Sequence, residues 1–163
     1  MFPQYKHFLD SMIRIQPDLI SEVNYWADKL GITENTIGIH VRLCDMNIQH
    51  GNDYGVKTLH DYLKHMTFGT NYFVSSDNHR CIDVMQGIFG DQVTSVPNLI
   101  RGKDEQEDTS VLQLENFSNP RFWQESFLEA LLLSKCGKLI CRTSSVSQSA
   151  MLFSNSIKEI IRI

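Results

Sequence analysis

Residues 138–163, KLICRTSSVSQSAMLFSNSIKEIIRI, decide the fold. KLICR is short and apolar, which predicts a buried strand. SSVSQSAMLFS opens on hydroxyl side chains suited to capping and continues with apolar residues, which predicts a short helix. IKEIIRI returns to β-branched residues and predicts a further strand. A strand, a helix and a second strand in so short a run form a crossover unit, which makes the two strands parallel.

The alternation extends toward the N-terminus. Thr36 to Arg42, TIGIHVR, reads as the first buried strand, followed by a polar, glycine-containing loop from Leu43 to Lys57. Thr58 and Asp61 have capping-box spacing and place a helix start at TLHDYLKHM. NYFVSS, Asn71 to Ser76, is the second strand. Asp77 opens a helix through Phe89, with Ile82, Met85, Ile88 and Phe89 inward and Gly90 as its stop. Gln92 to Val96 is the third strand. Residues 97–118 are the least regular, and RGKDEQEDTS reads as an acidic, solvated loop. Asn119–Pro120 opens a long helix to Lys135 with Phe122, Trp123, Phe127, Ala130, Leu131 and Leu132 as its apolar residues, and Gly137 follows. Ahead of the first strand, Pro17 to Leu30 is a helix whose Leu19, Ile20, Val23, Trp26, Ala27 and Leu30 share one face. Tyr5 to Ile13 is a separate helix or an arm. The expectation is an α/β fold, a doubly wound parallel sheet of Rossmann-like type over residues 36–163, preceded by an N-terminal helical segment, 1–35.

Composition narrows the partners. The chain has 163 residues, 15 Lys and Arg against 19 Asp and Glu, and a formal net charge of −4. With 42% hydrophobic and 21% charged residues it matches ordinary globular proteins. No basic stripe is present to neutralise a phosphate backbone, so nucleic acid is not an expected partner. No apolar run is long enough to span a bilayer, and MFPQYKHFLD lacks a signal-peptide core. The four cysteines Cys44, Cys81, Cys136 and Cys141 have no CxxC spacing, which fits reduced thiols and a cytoplasmic setting.

In a doubly wound sheet, ligands bind at the carboxyl ends of the strands. Three clusters fall there: His40, Arg42 and Asp45 after the first strand; Ser75, Ser76, Asp77 and Asn78 after the second; Arg142, Thr143, Ser144, Ser145 and Ser147 after the fourth. A hydroxyl-rich helix start offers amides and a helix dipole to an anion. Arg42 supplies a planar, permanent cation able to grip a diphosphate. Asp77 can accept from a ribose or a base. Each residue also has a plainer reading, the serines as helix caps and Arg42 as a surface ion-pair partner. There is no GxGxxG, no GxxxxGK[ST], no GxSxG and no DxD, and no His or Cys pair has zinc spacing.

These residues, in this order, resemble a family. TIGIHVRLCD is similar to the H-x-R-x-x-D segment of the α1,2-, α1,6- and protein-O-fucosyltransferase superfamily. NYFVSSD is similar to its second segment, a strand ending in a small residue and Asp. SFLEALLLSKCGKLICRTSSVSQSAMLFS is similar to its third, a helix with an acidic residue, a strand and a serine-rich turn opening a helix. The likeness covers residues 36 to 155 and sits nearer the α1,6 and nodulation type. It implies the C-terminal, GDP-fucose-binding half of an inverting GT-B glycosyltransferase that needs no metal cofactor. By resemblance, Arg42 contacts the donor β-phosphate, His40 is its neighbour in the donor site, Asp77 binds the nucleoside, and Ser144 and Ser145 hold the diphosphate. Glu129 stands where the family commonly has Asp. The catalytic set is then Arg42 with a general base from the following loop, where Asp45, His50 and Asp53 are the candidates; the Glu of the α1,6 type is absent there.

A complete GT-B enzyme has two Rossmann-like domains, and only about 35 residues precede the first strand here. A partner chain supplying the acceptor-binding domain is one way to complete it. The leading expectation is transfer of fucose from GDP-fucose to a glycan or other hydroxyl acceptor. The alternatives are a non-catalytic GDP-sugar-binding or interaction module, and an unrelated flavodoxin-like signalling domain built on Asp45 or Asp77.

Overall fold

The computed structural model describes residues 11–43, 54–102 and 118–163. Helix α1 is Pro17–Lys29, strand β1 Ile37–Val41, helix α2 Tyr54–Leu63 and strand β2 Tyr72–Ser76. Helix α3 is His79–Phe89, strand β3 Val93–Thr94, helix α4 Pro120–Ser134 and strand β4 Lys138–Cys141. Helix α5, Ser145–Phe153, leads into strand β5, Glu159–Arg162. The sheet order is β3-β2-β1-β4-β5 and every pairing is parallel. The expected α/β class and parallel sheet are therefore present. The direction of winding reverses between β1 and β4, which register as Ile37 with Lys138 through His40 with Cys141.

Strand alternation sorts the residues onto two faces. Phe73, Leu139 and Cys141 pack with Val23 and Ala27 of α1, with Leu128, Leu131 and Leu132 of α4, and with Ala150 of α5. Ile39, Val41, Val74 and Ile140 pack against Tyr62 of α2 and Ile82 and Met85 of α3. Burying both faces explains why the central strands read as near-continuous apolar runs. Gly38 lets α4 lie close on β1, since a Cβ there would stand 2.9 Å from Leu133 Cδ2. At Gly137 a Cβ would overlap the backbone carbonyl of Glu34, so this glycine serves a close chain approach as well as following a helix.

Several local expectations are corrected. Helix α2 begins at Tyr54, so Thr58 lies inside it, buried, and is no cap; packing against the sheet extends the helix beyond its local signal. Helix α3 starts at His79, two residues later than expected from Asp77, with Asn78 as N-cap accepting from Cys81 N at 3.3 Å. The third strand shrinks to two residues, because Gly90–Gln92 form a 3-10 turn and Val96 enters the core under α4. Ile20, Ile88 and Trp123 are 45%, 46% and 42% exposed, since the buried stripe of each helix is narrower than its apolar periodicity. The expected Tyr5–Ile13 piece falls largely outside the described residues, as do Cys44, Asp45, His50, Asp53 and the acidic run from Asp104 to Asp108. Among the described residues no helix is long and apolar enough to cross a membrane.

Candidate functional site

Alternation along β1 puts His40 and Arg42 on the same face as Gly38, at the carboxyl end of the strand. Ser75 and Asp77 follow the same face at the end of β2. The turn after β4 brings Ser144 and Ser145 alongside. Between these ends and α4 opens a cavity of about 360 Å³, lined by His40, Arg42, Asp77, Glu129, Ser144 and Ser145 among others. Of the strand-end clusters and the acidic residue of α4, these residues with Ser75 and Ser76 converge on one concavity, whose size suits a small-molecule ligand, while Asn78, Arg142, Thr143 and Ser147 do not line it. The three candidate bases, Asp45, His50 and Asp53, lie outside the described residues.

The serine turn is closed on itself. Ser144 is the N-cap of α5 and forms a capping box with Ser147: Ser144 Oγ accepts from Ser147 N at 3.1 Å, and Ser144 N donates to Ser147 Oγ at 3.0 Å. Ser147 Oγ in turn donates to Arg142 O at 2.9 Å. The first intrahelical bond runs from Gln148 N to Ser144 O, so the amides of Ser145 and Val146 precede it. They and the helix dipole face the cavity mouth, where an anion is favoured.

His40 links the turn to β1. Its Nδ1 lies 3.2 Å from Ser144 Oγ, and the ring is buried. Burial, with the nearby cations Arg42 and Arg101, lowers its pKa from the ordinary 6.5 to about 4. The imidazole is therefore neutral at pH 7 and orients Ser144 by a neutral hydrogen bond. Because the folded value is depressed, the unfolded chain takes up a proton between pH 6.5 and 4 that the folded chain does not. Stability falls as pH drops through that window and levels off below it. Urea unfolding at stepped pH checks this, and a His40→Gln variant should show a smaller fall over the same window.

Asp77 ties the chain beyond β1 to the end of β2. Its Oδ1 accepts from Leu43 N at 2.8 Å, and its backbone carbonyl accepts from Gly102 N at 2.8 Å. The residue following Arg42 is thereby fixed. Gly102 pairs with Asn78 as an isolated parallel bridge, and the preceding Leu99, Ile100 and Arg101 form one wall of the cavity.

That wall contains the residue the sequence reading missed. Arg101 is 7% exposed, whereas RGKDEQEDTS had read as a solvated loop. Its guanidinium donates to Glu129 Oε1 at 2.5 Å, to Ser76 O, and to Val96 O at 3.4 Å. Glu129 also bonds Ser75; its burial pushes the carboxyl pKa up, while Arg101 and Ser75 hold it down. One turn earlier on α4, Glu125 Oε2 accepts from Ile100 N at 2.8 Å and Oε1 from Arg121 Nε at 3.0 Å. Arg121 then reaches Glu22 of α1 with both terminal nitrogens, at 3.2 and 2.9 Å. Two carboxylates spaced i, i+4 on α4 clasp the wall, one by its backbone and one by its arginine. The sequence signal was Leu99–Ile100 before Arg101, an apolar pair that buries its neighbour. Phe122 and Trp123, in edge contact at 5.0 Å, complete the apolar end of the cavity. Among the described residues no group of three or more His, Cys, Asp or Glu side chains could hold a metal ion.

The fold is an α/β domain built on a five-stranded parallel sheet. The chain is similar to the solved NodZ alpha-1,6-fucosyltransferase soaked with GDP-fucose, at 18% identity and a TM-score of 0.57, over 92% of this chain and 45% of that one. NodZ co-crystallised with GDP gives 18% and 0.58 over the same shares, and NodZ from Bradyrhizobium 17% and 0.56 over 91% and 45%. At such identity the likeness is one of fold, and the chain spans less than half the length of these structures. No protein-family model and no curated protein matches the sequence.

Proposed function

We propose that this chain is the donor-binding, C-terminal half of a GT-B glycosyltransferase, holding GDP-fucose and transferring fucose with inversion to a glycan or other hydroxyl acceptor. Residues 36–163 form the nucleotide-sugar-binding unit and 1–35 its N-terminal helical segment. One observation carries this reading: Arg42, Asp77 and the α5 turn at Ser144–Ser145 line a single cavity at the carboxyl edge of a sheet whose order reverses there.

The chemistry follows from the residues. The acceptor oxygen attacks the anomeric carbon as the bond from that carbon to the β-phosphate oxygen breaks, leaving new negative charge on the diphosphate. The Arg42 guanidinium and the amides of Ser145 and Val146 stabilise that charge most in the transition state. Neutral His40 holds the Ser144 turn in place, and Asp77 fixes the chain beyond Arg42. The positive charge comes from the chain itself, so the reaction needs no metal cofactor. A general base from the residues that follow Arg42 in sequence, Asp45, His50 or Asp53, takes the acceptor proton.

Calorimetric titration of GDP, UDP, ADP and GDP-fucose tests the donor site. Binding of GDP and GDP-fucose in preference to UDP is expected, and no GDP binding by the folded protein would refute it. A second reading is a GDP-sugar-binding module without catalysis. Acceptor-dependent release of GDP from GDP-fucose separates the two.

A further inference from the structure

The place where β1 and β4 part has an unusual joint. In a parallel ladder, the pairing of His40 with Cys141 brings the Arg142 amide to the His40 carbonyl as the next rung. A tyrosine hydroxyl from the opposite face stands in that rung. Arg142 N donates to Tyr62 Oη at 3.2 Å, and Tyr62 Oη donates to His40 O at 2.8 Å. Two bonds in series thus occupy a place where one of about 2.9 Å would normally close the ladder.

The residues on either side of this joint are the site. Beyond His40 comes Arg42; beyond Arg142 comes the Ser144 turn. Tyr62 is fully buried among Ile39, Val41 and Ile140, so its ring is fixed and its hydroxyl cannot swing away. Burial pushes its pKa up, which keeps the hydroxyl protonated and able to donate. Asp61, the preceding residue of α2, lies 3.8 Å from Arg142 Nη2 and engages the same residue by its side chain.

We propose that the Tyr62 hydroxyl is a positioning group: it sets the width of the crevice between β1 and β4, and with it the spacing of Arg42 and the Ser144–Ser145 turn across a bound diphosphate. This rests on the donor-site reading above. Tyr62 touches no ligand and acts through the two strand ends. With Phe in its place, the ring still fills the core, but the Arg142 amide and His40 carbonyl lose their bridge. The pair then closes directly or stays unsatisfied, and the turn shifts in either case.

The test uses the whole chain with Tyr62→Phe, and Ile82→Ala as a variant weakened in the same core away from the strand ends. Ligand-free crystal structures measure the separation of Arg42 from Ser144, and calorimetry measures GDP and GMP. The expected result is a changed separation in Tyr62→Phe alone, with GDP affinity about tenfold weaker, GMP affinity less affected, and Ile82→Ala binding as wild type. An unchanged separation overturns the inference, as does a changed separation with wild-type GDP affinity, or equal losses in both variants. These three results leave the donor site standing. Failure of the wild-type protein to bind any nucleoside diphosphate removes the donor site, and the inference falls with it.

Discussion

An Arg42→Ala variant is expected to bind GDP about a hundredfold more weakly than the wild-type chain, with a loss in transfer rate at least as large. Arg42 is half-buried at the end of β1, in the wall that also holds Asp77 and the α5 turn. In a cavity that excludes water, removing a donor aimed at developing charge costs about 3 kcal/mol. Arg42→Lys should recover only part, because an ammonium cannot form the paired, planar hydrogen bonds of a guanidinium. Any change in stability is a separate effect. Calorimetry paired with urea unfolding separates the two effects. A variant that binds GDP as the wild type does would remove Arg42 from the site.

The largest effect on stability is expected at Arg101. Arg101→Met leaves Glu129 buried without its counter-charge and takes a donor from Ser76 O and Val96 O. Breaking a buried ion pair from one side costs about 3–5 kcal/mol. The double variant Arg101→Met with Glu129→Leu should regain much of that, because no charge is then stranded. The single variant also carries a pH signature. Glu129 already has a raised pKa, and losing Arg101 removes the largest influence holding it down. A raised folded value means that the folded state holds the proton more tightly than the unfolded chain does. The variant's stability is therefore greatest below the ordinary carboxyl range and falls as pH rises through the folded value of Glu129. Urea midpoints of both variants across acid to neutral pH measure this. An Arg101→Met protein as stable as wild type at neutral pH would show that the pair does not hold the cavity wall.

The parallel sheet was legible because β1, β2 and β4 are buried on both faces and bounded by polar turns, so TIGIHVR, NYFVSS and KLICR stand out without reference to one another. The positions of His40, Arg42, Asp77, Ser144 and Ser145 followed, since the ends of parallel strands share one edge. Long-range contacts were not legible. Arg101 is followed by a charged run whose composition outweighs the two apolar residues before it, and its partner Glu129 is 28 residues away on α4. Tyr62 lies in TLHDYLKHM, and nothing local in that stretch shows that its hydroxyl reaches two strands. Thr58 misled for the complementary reason: capping-box spacing is a local preference, and packing of α2 under the sheet overrode it.

The central claim is that the carboxyl edge of β1, β2 and β4 is a nucleoside-diphosphate site. Titrating GDP into isotope-labelled protein and following its NMR spectrum locates the ligand directly. Saturable shifts are expected at the amides of Ser145, Val146 and Ser147 and at His40 and Arg42, with little change at Thr36, Asn71 and Gly137 at the opposite end of the strands. Shifts confined to that opposite end, or none in a folded protein at millimolar GDP, would contradict it.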